Sequence, residues 1–460
     1  GLPAQARDAA VRVFARIATI YDEKLHDRER AIESWRKVAS VQDENPTAWE
    51  KLERLLGQAH RHAELVTVLD KRYTLSHDLP EQKRLLYQAA QLHEQMLEQP
   101  ERAIEKWRAV LQLDEADESA LEALARLYEA RAEWRELAWV YTQQIELATS
   151  EAVRRPLRFA MAKVYEENLG DSLEAISAYK GALEANDRDA EAVTALSRLN
   201  EREGQWADHL EALDKLAELA EQTGTTGDPS VRLELQLRAA RVTEEKIQQA
   251  ESAIRRYQQV LEYETPAAAD VSDWMSAAQV EMSTVFNAGR LNLIQYQTEA
   301  RVALERLVQQ SETRDAAAAV LEPLYRKQGE WRPLSELLEL KLAAEADISE
   351  RRRLLAQIAE LSETGLHDPK AAFAVWGRVL AEEPQDEEAV QQLERLSTQS
   401  GEFAELAPLF EERLESSSDP EVQRGFALKL AVMYETHLLD DSRAIARYRK
   451  VLELPGDEMQ

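Results

Sequence analysis

The chain has 460 residues, of which 86 are acidic and 57 basic, giving a formal net charge of -29, and it contains no cysteine. Such a length outgrows a single hydrophobic core, so the chain is either several domains or one array that adds core unit by unit. The charge repels phosphate backbones and argues against nucleic acid, and the lack of cysteine excludes disulfides, thiolate metal sites and cysteine nucleophiles.

Gly and Pro occur 14 times each, about half their usual share, which leaves little material for hairpin turns between strands. The composition predicts helices throughout. No run of 18 apolar residues is present, so no membrane segment is expected. The opening Gly1-Leu2-Pro3-Ala4 has no initiator Met and no signal pattern, and the last residues stop inside a helical unit. The chain therefore reads as a fragment, expected in the cytoplasm, with the periplasm or cell envelope as alternatives.

In chain order, the first phrase to note is Arg30-Ala31-Ile32-Glu33-Ser34-Trp35-Arg36-Lys37-Val38, which returns as Arg102-Ala103-Ile104-Glu105-Lys106-Trp107-Arg108-Ala109-Val110. It recurs around Ala175 with Tyr179, Ala253 with Tyr257, Ala372 with Trp376, and Ala444 with Tyr448. The steps between these alanines are 72, 72, 78, 119 and 72 residues. A fixed period of this size marks stacked repeats, each too small to bury its own apolar faces. A second phrase lies between the first ones: Glu133-Trp134 with Leu137, Glu330-Trp331 with Leu334, and Glu402-Phe403 with Leu406. Gln205-Trp206 belongs to the set, with His209 in place of the Leu. Each 72-residue unit thus holds two helical hairpins, and apolar residues such as Leu121, Leu124, Leu127 and Tyr128 follow helical spacing.

These residues resemble the tetratricopeptide repeat family. Gly204-Gln205-Trp206 and Gly329-Glu330-Trp331 match its turn positions. The six phrase alanines match its close helix crossing, Trp35, Trp107, Tyr179, Tyr257, Trp376 and Tyr448 match its aromatic, and Pro384 matches its closing proline. The resemblance spans nearly the whole chain except roughly 264–300, and is similar to long bacterial arrays. It departs from the family in alternating two unlike hairpins, each longer than the family's ~34 residues, with most closing prolines missing. What it implies is an all-α solenoid of stacked antiparallel hairpins wound as a right-handed superhelix. It also implies a non-catalytic adaptor that holds protein partners on the surface of its first helices and needs no cofactor. The alternatives are a half-repeat array in a nucleic-acid-associated complex, or the repeat region of a larger enzyme or signalling protein. The organisation expected is a repeat array over 1–263, an inserted or diverged helical segment over 264–300, and a repeat array over 301–460.

No Gly-rich phosphate loop, nucleophile elbow or zinc-protease motif occurs, and the one close histidine pair, His60 and His62, points in two directions on a helix. Neither a catalytic residue nor a metal site is expected. Two features stand out. Arg12, Arg84, Arg155, Arg232, Arg353 and Arg424 recur 19 to 21 residues before the phrase alanines. They form either a ladder for a partner's carboxylates or internal pairs with acids of the next hairpin.

The other feature is the 119-residue step, about 47 longer than the rule, whose extra stretch Thr265 to Thr298 is poor in charge. Trp274, Met275, Met282, Phe286 and Tyr296 make it a candidate surface for a partner or for self-association through 266–298. The competing reading is a diverged hairpin that packs into the stack, which the echo of Leu52-Glu53-Arg54-Leu55 in Leu304-Glu305-Arg306-Leu307 favours. Asp270 or Ser272 is the expected N-cap there, and Asn287 or Gly289 the expected helix end. Among the tryptophans, Trp35, Trp107, Trp134, Trp206, Trp331 and Trp376 keep the repeat register and read as core. Trp49, Trp139 and Trp274 fall off it and are the better candidates for anchors in a groove.

Overall fold

The computed structural model describes residues 4–222, 229–263 and 279–454, and among them every regular element is helical. The chain divides into two compact units, 1–212 and 213–460. The first begins with α1 (Ala4–Glu23), α2 (Arg28–Val41), α3 (Pro46–Gln58), α4 (His62–Leu75), α5 (Leu79–Gln95) and α6 (Pro100–Leu113). It continues with α7 (Glu118–Ala130), α8 (Trp134–Leu147), α9 (Glu151–Lys163, prolonged by a π-helical turn, Val164–Leu169), α10 (Ser172–Ala185) and α11 (Ala190–Arg202). The boundary falls within α12 (Trp206–Gln222). The second unit holds α13 (Pro229–Glu245), α14 (Ala250–Glu262), α15 (Gln279–Val308), α16 (Arg314–Gln328), α17 (Trp331–Ala344) and α18 (Ile348–Thr364). After these come α19 (Pro369–Glu382), α20 (Glu387–Ser400), α21 (Phe403–Ser416), α22 (Pro420–Thr436) and α23 (Asp441–Glu453).

Helix starts follow from capping. Asn45, Asp117, Asp189 and Asp386 accept from the backbone N–H of Ala48, Ala120, Ala192 and Ala389, satisfying a donor that the first helical turn leaves without a partner. Asp27, Asp171, Asp368 and Asp440 do the same for α2, α10, α19 and α23. Helix ends follow from a left-handed residue that reverses the chain. In the hairpins carrying the alanine phrase it is His26, Glu98, Gly170, Gln248, His367 or Leu439, each five residues before the phrase alanine. In the other hairpins it is His60, Ala132, Gly204, Gly329 or Gly401. In the phrase hairpins the next residue's N–H then reaches back over six residues, as in Asp27 to Tyr21 at 2.9 Å and Gln99 to His93 at 2.8 Å, and in the others over five, as in Glu133 to Tyr128 at 2.9 Å.

Ala31, Ala103, Ala175, Ala253 and Ala372 are fully buried at the crossing of the phrase hairpin, where a larger side chain would force the helices apart. Trp35, Trp107, Tyr179, Tyr257 and Trp376 are buried beside them, whereas Trp134, Trp206 and Trp331 are half-buried. His209, in the place of a core Leu, is fully buried, with Nδ1 2.8 Å from the Ser197 carbonyl and Nε2 without a hydrogen-bond partner.

The interruption is two separate additions. Ala31 to Arg54 and Ala103 to Arg126 are both 23 residues, but Ala253 to Arg306 is 53. Further on, Arg126 and Trp134 are 8 residues apart, whereas Arg306 and Trp331 are 25 apart, with the extra helix α16 between them. The helix expected to end at Asn287 or Gly289 instead runs through both as the 30-residue α15. One cause is readable: Gln297 stands where Asn45, Asp117, Asp189 and Asp386 cap other helices, and it offers no such stop. Its Nε2 donates to the Tyr263 carbonyl at 2.8 Å. The C-terminal half of α15 is core, with Leu293, Ala300, Leu304, Leu307 and Val308 buried in the cluster of the second unit.

Candidate binding surface

The six arginines singled out by spacing do not occupy one position. Arg155 and Arg424 lie 20 residues before their alanines, Arg12, Arg84 and Arg353 lie 19 before, and Arg232 lies 21 before. A one-residue offset turns a side chain by about 100° around a helix. The position at 20 is held by Lys83, Arg155 and Arg352, and these three share one partner type, the capping aspartate 34 residues on. Arg155 Nη2 lies 3.0 Å from Asp189 Oδ1 and 2.7 Å from Glu191 Oε2, with its guanidinium 4.3 Å above the Phe159 ring. Arg352 repeats this on Asp386 and Glu388, and Lys83 Nζ lies 2.5 Å from Asp117 Oδ2. The hydrogen bond from Arg155 holds the Asp189 carboxyl below the usual range, and the guanidinium itself is pushed up by the same pair.

Of the others, Arg84 pairs with Glu81 and Glu53, Arg232 with Glu221 at 2.9 Å, and Arg353 with Glu350 at 2.7 Å. Arg12 is exposed, and Arg424 Nη2 lies 3.4 Å from the Leu454 carbonyl.

A stricter pairing escaped the sequence reading. An acid stands nine residues before every phrase alanine: Asp22, Glu94, Glu166, Glu244, Glu363 and Glu435. The first five are met by Arg54, Arg126, Arg198, Arg306 and Arg395, each the arginine of a Leu-x-Arg-Leu run. The signal was present as the pattern (Asp/Asn)-x-x-Ala-x-x-x-Leu-x-Arg-Leu at 45–55, 117–127, 189–199 and 386–396, with Gln297 in the capping place at 297–307.

With these arginines engaged internally, the clefts are the accessible features. One lies between α3 and α5, lined by Pro46, Trp49, Glu50, Arg72 and Glu81. Its repeat equivalent between α20 and α22 is lined by Glu387, Val390, Gln391, Val422, Phe426 and Lys429. A third lies across α6, α7 and α8, where Trp139 is 45% exposed beside Arg108, Leu111, Glu115 and Glu136. Two of the three off-register tryptophans, Trp49 and Trp139, therefore line clefts, and Trp274 lies outside the described residues. So does Met275, as do the side chains of Met282 and Phe286. Tyr296 is half-buried against the core of the second unit, its hydroxyl 3.2 Å from Glu234 Oε2.

Among the described residues no group of three or more His, Asp or Glu is placed to hold a metal ion, and no helix is long and apolar enough to cross a membrane.

Residues 120–155, which cover most of the α7–α8 hairpin and the start of α9, match the tetratricopeptide repeat family. No curated protein matches the sequence. Similar solved structures include the MamA protein, at 19% identity over 40% of this chain and 94% of that one, with a TM-score of 0.25. Naa15/Naa10 bound to HypK-THB is similar at 15% identity over 96% of this chain and 68% of that one, TM-score 0.33. YrrB, described as a TPR protein with an unusual peptide-binding site, is similar at 15% identity over 40% and 89%, TM-score 0.24.

Proposed function

We propose that this tetratricopeptide-repeat chain is a non-catalytic scaffold that holds segments of partner proteins in the clefts between the first helices of successive hairpins. The observation that carries the reading is the cleft that recurs at equivalent positions with different linings. At α3 and α5 it offers an indole with charged groups, Trp49, Glu50, Arg72 and Glu81; at α20 and α22 it offers Val390, Val422 and Phe426 with Lys429 at the edge. Positions that serve only stacking keep their chemistry from copy to copy, as the acid nine residues before each alanine does. Positions that face a partner are released from that constraint and diversify, which suits several different segments on one frame.

The α20–α22 cleft pairs an apolar floor with charged edges, the makeup of a peptide groove, while the α3–α5 cleft sets one indole among charged and polar groups. The test is affinity capture from native lysate with the wild-type chain and with the surface variant Val422→Asp/Lys429→Glu. A set of proteins retained by the first and lost by the second supports the reading. Identical sets on both, or a small molecule turned over by the chain, overturns it.

A further inference from the structure

Within unit 1–212 a groove of about 520 Å³ opens between the second helices α6 and α8, with Leu121 of α7 also lining it. Described helices precede and follow it in the chain, so its opening owes nothing to a chain end. The repeat shows how the same place is filled elsewhere. In the copy 72 residues earlier, Lys71 bonds to Asp43, and Thr67 stands where the later copy has Trp139. In the copy 72 residues later, an acid and a lysine, Asp187 and Lys215, again hold those two positions. The middle copy keeps the acid, Glu115, but its lysine is replaced by Gln143, whose Nε2 lies 3.4 Å from Glu146 Oε2. The neighbouring ion pair is retained in all three copies, as Arg36 with Glu64, Arg108 with Glu136 and Lys180 with Asp208.

Two groups are left over by this change. Among the described residues Glu115 has no cation, and no cation of the chain lies over the ring of Trp139, which is 45% exposed. Arg108 is already engaged, with Nε 2.6 Å from the Tyr128 hydroxyl and Nη2 2.7 Å from Glu136 Oε2. The unbalanced charge of the groove is therefore negative, on a chain whose formal charge of -29 attracts basic segments. An indole face beside a carboxylate suits a flat cation, because a guanidinium stacks on the ring and pairs with both carboxylate oxygens. In an extended segment, side chains two residues apart share a face. We propose that the α6–α8 groove binds an extended segment of a partner protein bearing Arg-x-Leu, its guanidinium on Trp139 and Glu115 and its leucine on Leu111 and Leu121. A second copy of this chain is a poor occupant, because two surfaces of like charge repel. The groove lies on second helices, whereas the clefts of the preceding section lie between first helices, so the two readings stand apart.

The probe is a fluorescein-labelled synthetic peptide, Gly-Ser-Gly-Arg-Ser-Leu-Gly-Ser-Gly, titrated into the intact 460-residue chain at about 20 mM ionic strength and followed by anisotropy. Saturable binding is expected, weakened about tenfold by Trp139→Ser and about threefold by Glu115→Gln. Gln143→Lys rebuilds the pair that Lys71 makes with Asp43, so it should weaken binding about tenfold while the melting temperature stays at or above that of the wild type. Exchanging the peptide's arginine for lysine should cost about threefold, and exchanging it for glutamate should abolish binding. Absence of saturable binding, or equal binding by the glutamate peptide, overturns the proposal. So does full binding by both Trp139→Ser and Gln143→Lys, which would assign the peptide to the overall charge of the chain. Sedimentation showing self-association that Trp139→Ser removes would give the groove to a second copy, and also overturns it. Val422→Asp/Lys429→Glu leaves this binding unchanged, so failure here leaves the α3–α5 and α20–α22 clefts standing.

Discussion

Arg198 lies against Glu166, 32 residues earlier, with Nη2 2.8 Å from Oε2, and the carboxylate side chain is only 5% exposed while the arginine is largely in water. The pair joins α11 to the π-helical turn that ends α9. Its two halves differ in consequence, because removing the exposed arginine leaves a buried carboxylate with only the more distant Arg202, 3.7 Å away, whereas neutralising the acid leaves a solvated arginine. Arg198→Ala is expected to cost about 1–3 kcal/mol and Glu166→Gln less, with the double variant closer to Glu166→Gln than the sum. Urea unfolding followed by circular dichroism measures this, and a neutral Arg198→Ala would contradict it.

Acid sensitivity should run through the capping aspartates. The Arg155 hydrogen bond lowers the Asp189 carboxyl, against the opposing effect of burial, and the Ala192 N–H adds to it. A carboxyl lower in the folded than in the unfolded chain contributes stability above its unfolded pKa of about 4, which is lost as pH falls through the folded value. Asp189→Asn should therefore lower the melting temperature at pH 7 and flatten its decline between about pH 5 and pH 2. An unchanged slope in that window would contradict the assignment.

The left-handed turn positions are filled unevenly, and the difference is measurable. Ala132 sits at φ 57° where Gly204 sits at φ 70° in the next unit. A residue with a Cβ is strained in that region by about 1 kcal/mol. Ala132→Gly should stabilise by about 0.5–1 kcal/mol even though it loosens the unfolded chain, and Gly204→Ala should cost about the same. For Gly204 the cost is conformational alone, since an added Cβ would meet only the Trp206 Nε1 at 3.8 Å. Thermal unfolding of both variants decides the point, and a destabilising Ala132→Gly would count against it.

The helices, their pairing and the closely crossed alanines were legible in the sequence because a repeat states each rule several times. The six arginines were grouped because they recur once per unit, either as a ladder or as internal pairs, and spacings of 19 to 21 were treated as one position. On a helix that tolerance spans more than half a turn, so Arg84 and Arg155 meet different partners. The constant offset belonged to an acid, and acids were too common to stand out. Trp49 and Trp139 were found for the opposite reason, since a departure from the repeat is visible only against it.

The step between Ala253 and Ala372 was read as one insertion, and its division into a lengthened α15 and an extra α16 gives the last expectation. If the end of α15 is the first helix of an ordinary hairpin, its inward residues carry stability and its outward ones do not. Leu293 is buried in the second unit's core and Val302 is 56% exposed, although only nine residues separate them on one helix. Leu293→Ala removes three buried carbons and leaves a cavity that the neighbouring helices cannot wholly close, at a cost of about 2–4 kcal/mol. Val302→Ala should change stability by less than about 0.5 kcal/mol. Denaturation of the two variants separates a packed helix from an appended one: equal, small effects would mean that α15 is only laid against the stack, and that Arg306 on Glu244 holds it by charge alone.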